Sequence, residues 1–177
     1  DKESGDMMNK HGFTLIELLA TISILALLML VAVPNVMSTI DKNKQSTYVE
    51  DAKRMITLAE YEVRSNTSIE LPTNGNCIVI PLGSLDLTDF TEGPEGGSYD
   101  LTNSYVTIAR SGNNYIYSAA IVENFDGNKR GIPLTTRDDF NKENAKNKVA
   151  SGSELSIVTP KVGSKLNGYT VTNIIDS

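Results

Sequence analysis

The densest apolar run lies near the start of the chain, from Phe13 to Val33, interrupted by a single acid, Glu17. At about 1.5 Å of helical rise per residue it spans roughly 30 Å, the hydrocarbon thickness of a bilayer. Lys10 stands just before it, placed to anchor the cytoplasmic side. Past Pro34 the pattern becomes amphipathic. Tyr48, Val49, Ala52, Met55, Ile56, Ala59 and Val63 recur at three- and four-residue steps, while Lys44, Glu50, Asp51, Lys53, Arg54 and Glu60 fill most positions between them. This predicts one long helix from Phe13 to about Ser65, with its first half in a membrane or filament core and its second half packed on a head. Pro34 lacks a backbone donor and is expected to kink or locally unwind it. About two repeats are visible, fewer than the three or four that a coiled coil needs.

Beyond the helix the periodicity shortens. Asn76-Cys-Ile-Val-Ile-Pro81 predicts a short strand, and Glu92-Gly-Pro-Glu-Gly-Gly97 a loop. Tyr99 to Arg110 and Asn114 to Phe125 are β-rich runs joined at Ser111-Gly-Asn113, a hairpin signal. Asp126-Gly-Asn128 closes the second run. Thr135 to Ala150 is polar, with Asp138 and Asp139 suited to the first turn of a weak helix. Ser156 to Thr159 and Tyr169 to Ile175 predict two further strands. The economical solution is α+β, a small antiparallel sheet head packed against the long helix.

Composition narrows the function. The net charge of −6 supplies no broad basic field, and no nucleic-acid binding is evident. The single cysteine, Cys77, has no partner in the chain and reads as a small buried hydrophobe. The sole histidine, His11, sits ahead of the apolar run, and one Cys with no other His makes neither a zinc site nor a nucleophile–base pair. Gly163-Ser-Lys-Leu-Asn-Gly168 has the glycine spacing of a phosphate loop, but Tyr169 stands where lysine is required, so it reads as a turn. Asp126-Gly-Asn128 lacks the remainder of a calcium loop and reads as a hairpin turn. Asn66-Thr-Ser68 matches a glycosylation sequon, a short motif often met by chance. Tyr99, Tyr105, Tyr115, Tyr117 and Tyr169 fit strand residues packing on one face. No catalytic group, cofactor or metal site is expected, and the chain is not read as an enzyme.

The N-terminus is more specific. A cleaved secretory signal is disfavoured, because Val31-Ala-Val-Pro34 is a poor small-residue cleavage site and Glu17 costs a few kcal/mol inside an apolar segment. Lys10-His-Gly-Phe-Thr-Leu-Ile-Glu-Leu-Leu19 resembles the processing site of type IV prepilins and pseudopilins. The resemblance covers about the first fifty residues. It implies cleavage by prepilin peptidase after Gly12, N-methylation of Phe13, and pairing of Glu17 with the terminal amine at Phe13 of a neighbouring subunit. Together with the periodicity of the later residues it divides the chain into an expected leader at 1–12 (with 1–6 read as an extension ahead of a start at Met7 or Met8), a transmembrane assembly helix at 13–33, an amphipathic continuation at 34–66 and a β-rich head at 67–177. The implied partners are other pilins in a helical filament, the assembly platform with its ATPase, and the cytoplasmic membrane before assembly. The protein is expected first as a single-pass membrane protein with its N-terminus inside, then in an extracellular pilus serving adhesion or motility. The alternative is a pseudopilin of a type II secretion or competence apparatus. A membrane-anchored hydrolase or binding protein that merely begins this way stands third.

Overall fold

The computed structural model describes the backbone of all residues except 1, 87, 89–91, 142 and 177; of side chains, those of 2–13, 29–41, 144 and 153 also lie outside the description. The chain divides into two compact units, 1–43 and 44–177. Helix α1, Lys2–Ser65, supplies residues 2–43 of the first and the opening element of the second. Its C-terminal end falls at the expected Ser65, whereas its N-terminal end lies eleven residues ahead of the expected Phe13.

In the first unit every described side chain from Thr14 to Leu28 is exposed. Among the described residues no helix is long and apolar enough to cross a membrane. Of the expected span, the side chains of 14–28 alone are described; those of Phe13 and 29–33 lie outside the description.

In the second unit the expected stripe on α1 is buried: Tyr48, Ala52, Met55, Ile56 and Ala59 are fully inaccessible. They pack on a sheet formed by β1 (Asn76–Pro81), β2 (Ser98–Tyr99), β3 (Tyr105–Ser111), β4 (Asn114–Phe125), β5 (Asn128–Thr136), β6 (Ala150–Ser151), β7 (Lys165–Leu166) and β8 (Tyr169–Ile174). The order is β6-β5-β4-β3-β1-β8-β7, with β2 also on β4. The alternation of β1 divides its residues between two cores. Ile78 and Ile80 join α1, Val106, Ile108, Ala119, Ile121 and Ile132 on one face, while Cys77 and Val79 join Tyr105, Ala120, Leu166 and Val171 on the other.

The sheet is mixed, not antiparallel throughout, because β8 pairs in parallel with β1. The run from Tyr99 to Arg110 is broken into β2 and β3. Asp100 accepts from the amides of Thr102 at 3.1 Å and Asn103 at 2.9 Å, a local turn that competes with the ladder. Ser104 then patches the gap, its hydroxyl donating to the Val122 carbonyl and accepting from the Val122 amide. Residues 128–134, given no strand by the sequence pattern, form most of β5. Residues 156–159, expected as a strand, have no ladder partner and remain irregular. The expected acidic helix start is a 3-10 turn, Asp138–Asn141, followed by the short α2, Glu143–Lys146.

Candidate functional site

Two places concentrate chemistry. The first is the exposed apolar helix of the first unit. Leu15, Ile16 and Leu19 are 61, 70 and 64% exposed, and Ile22, Leu25 and Leu28 are likewise open. An all-round apolar helical surface is stable only against lipid or other apolar helices. Glu17 lies within it, exposed, and its carbonyl accepts from the Thr21 hydroxyl at 2.7 Å. Gly12, Phe13 and Pro34, the expected cleavage, methylation and kink positions, lie outside the residues whose side chains are described.

The second is a polar cluster in the head that sequence reasoning missed. Glu123 on β4 is 0% exposed. Its carboxylate accepts from the Tyr48 hydroxyl at 2.8 Å, the Gly97 amide at 2.7 Å and the Glu95 amide at 3.1 Å. A Cβ at Gly93 would lie 2.2 Å from the Glu123 side chain, so the 93–97 loop closes over the carboxylate only because a glycine is there. Asp51, expected on the wet face of α1, is instead held by the Tyr99 hydroxyl. Burial raises the Asp51 carboxyl above its ordinary value, against the Tyr99 bond and Arg54, which lower it. Burial, and then the bond to the partner carboxylate, push both tyrosine hydroxyls upward. Glu95 links Lys44 on α1, at 3.0 Å, with Arg130 on β5. One signal was legible. In Ala119-Ala-Ile-Val-Glu123 strict alternation places Glu123 on the face of Ala119 and Ile121, a core position that demands partners.

The remaining candidates resolve individually. Cys77 is free and 1% exposed; burial pushes its thiol up to about 11. Asp126 and Gly127 have φ of 47° and 77°, the left-handed pair of a β4–β5 hairpin turn, and Asn167 and Gly168 do the same between β7 and β8. Asn66 accepts from both the amide and the hydroxyl of Ser68, closing a turn after α1. The tyrosines do not share one face. Tyr99 and Tyr117 pack on the helix side, Tyr105 and Tyr169 on the other, and Tyr115 is exposed beneath Arg110. Among the described residues no group of three or more His, Cys, Asp or Glu side chains converges as a metal site.

The architecture defines an α+β chain: a helix whose described N-terminal side chains are largely apolar and bare, and whose later turns form the spine of a mixed-sheet head. Residues 7–33 match the family described as the prokaryotic N-terminal methylation motif, the class III signal peptide of type IV pilins and pseudopilins. That motif implies processing by prepilin peptidase and assembly with other pilin-like subunits, and it fits a membrane-anchored, surface-assembled protein. No curated protein and no solved structure matches the chain.

Proposed function

We propose that the chain is a structural subunit, major or minor, of a type IV pilus. In this reading prepilin peptidase cuts after Gly12, Phe13 becomes the methylated N-terminus, and the helix that follows packs among those of neighbouring subunits. The observation that carries it is the bare, largely apolar helix 14–28 with one carboxylate inside it, within the stretch 7–33 that matches the N-terminal methylation motif. Cleavage creates an ammonium within about one turn of Glu17, and each charge is costly alone in an apolar medium. Pairing across subunits offsets that cost and fixes the axial register between them. The head takes a structural role at the cell surface, in adhesion or motility, and no catalytic one.

The test is the mass of the N-terminal peptide from filaments sheared off expressing cells, with Glu17→Ala in parallel. A peptide beginning at methylated Phe13, and a Glu17→Ala chain that is inserted and cleaved but absent from filaments, are the expected results. Processed protein confined to the envelope would replace the pilus by a secretion or competence pseudopilus. Normal piliation by Glu17→Ala would remove the role given to Glu17.

A further inference from the structure

Helix and sheet meet in the head through two hydroxyl–carboxylate bonds that run in opposite senses. Tyr48 and Asp51 are three residues apart on α1 and share a face. Tyr99 and Glu123 stand directly opposite each other across β2 and β4. The helix tyrosine donates to the sheet acid, and the sheet tyrosine donates to the helix acid. Each partner thus offers one donor and one acceptor, in an order that matches the other in a single register.

We infer that Tyr48, Asp51, Tyr99 and Glu123 form a register lock that fixes α1 on the sheet and, through Glu123, holds the 93–97 loop shut. The apolar packing around the lock combines large side chains, Met55 and Ile56, with small ones, Ala52 and Ala59, and apolar attraction is non-directional, whereas the hydroxyl–carboxylate bonds are not. A slip of α1 by one turn, about 5.4 Å, breaks both hydroxyl bonds together and leaves Glu123 buried beside apolar Ile121 and Ala119. A buried polar set of this kind specifies one arrangement because every alternative leaves a group unpaired. The loop is tied to the same carboxylate. With the Glu95 and Gly97 amides bound to Glu123, the Glu95 side chain spans Lys44 on α1 and Arg130 on β5, a second strap over the same junction. Arg54 and Glu50 flank Asp51 from the helix side and belong to the same electrostatic surroundings.

The experiment is hydrogen exchange on the full chain in detergent micelles, for wild type, Glu123→Gln, and Tyr48→Phe with Tyr99→Phe. Glutamine keeps the shape of Glu123 but removes the negative charge that the two amides and the Tyr48 hydroxyl converge on, and replaces one acceptor by a donor. It is expected to speed exchange at Glu95 and Gly97 by about tenfold or more while β3 and β4 keep their protection. The double phenylalanine variant keeps both rings and removes only the hydroxyls. It is expected to speed exchange along α1 from Tyr48 to Ala59 by about tenfold with the sheet unchanged. Unchanged exchange at those loop and helix amides overturns the lock. So does a uniform rise across loop, helix and sheet, which would show ordinary core residues with no local office. If Glu123→Gln fails to fold, the double phenylalanine variant decides alone.

Discussion

Cys77 and Val171 lie side by side in a parallel pair, β1 with β8, and both are buried in the core on the sheet face away from α1. Strand β8 therefore sits inside the sheet, between β1 and β7, and not at its rim.

Val171 fills that second core, so Val171→Ala is expected to lower unfolding stability by about 2 kcal/mol, combining lost methyl burial with a residual cavity. Removing 169–174 altogether strips β1 of one ladder and is expected to abolish a cooperative transition. Urea unfolding followed by circular dichroism checks both. A transition midpoint unchanged by the deletion contradicts the placement of β8.

Cys77 is shielded by burial, and the thiolate is the reactive form. At neutral pH the native chain is expected to resist maleimide labelling, while the urea-unfolded chain labels at the rate of a free thiol. Rapid labelling of native protein would mean that β1 and β8 separate readily.

Asp100 gives a pH dependence. Burial pulls its carboxyl upward, but hydrogen bonds from Asn103, Thr102 and Asn124 outweigh this and bring it down to about 2, from an ordinary 3.8. The unfolded chain thus binds a proton at Asp100 before the folded one does. The stability this group contributes is complete above pH 4 and is lost as the pH falls toward 2. Asp100→Asn is expected to unfold with a shallower pH dependence in that window and to match the wild-type slope near pH 6. Equal slopes between pH 4 and 2 would argue that the turn at Asp100 is not held by its charge.

Gly131 on β5 opposes Val122, and a Cβ there would lie 1.9 Å from the Ile121 carbonyl oxygen. Gly131→Ala is expected to cost about 1–3 kcal/mol, through the shift it forces between β4 and β5. Thermal unfolding reads this directly, and a neutral result would mean that the strands can part there without loss.

Gly131 also shows why part of the head was not legible in the sequence. Together with Pro133 it reads as punctuation, and punctuation argues against a strand. In the structure these residues serve the ladder's irregularity. The register between β4 and β5 shifts between Ala119 and Ile121, opposite Pro133, where a missing amide goes unnoticed. The helical stripe from Tyr48 to Ala59 was readable because it repeats over several turns and one face of it is buried. The β3–β4 and β4–β5 turns were readable because Gly112 and Asp126-Gly127 adopt the left-handed backbone that their residue types favour. Ser156 to Thr159 misled for the opposite reason, since β-branched residues record a local preference and strand pairing is a tertiary matter. The processing motif was legible because it needs no fold at all. Glu123 carried a signal in its alternation, but its partners lie 75 residues away at Tyr48 and 28 away at Glu95, beyond the reach of local pattern.

The parallel pairing of β1 with β8 also has a temporal side. More than ninety residues separate Cys77 from its neighbours on β8. A contact that distant closes slowly, since the chain between must be ordered before the pairing stabilises anything. Until 169–174 arrive, β1 shows a bare edge and the apolar side chains of Cys77 and Val79 to whatever is near. A chain folded without 169–174 thus carries its own mark of incompleteness, legible to proteases and to sticky neighbours, and loses it when that strand pairs.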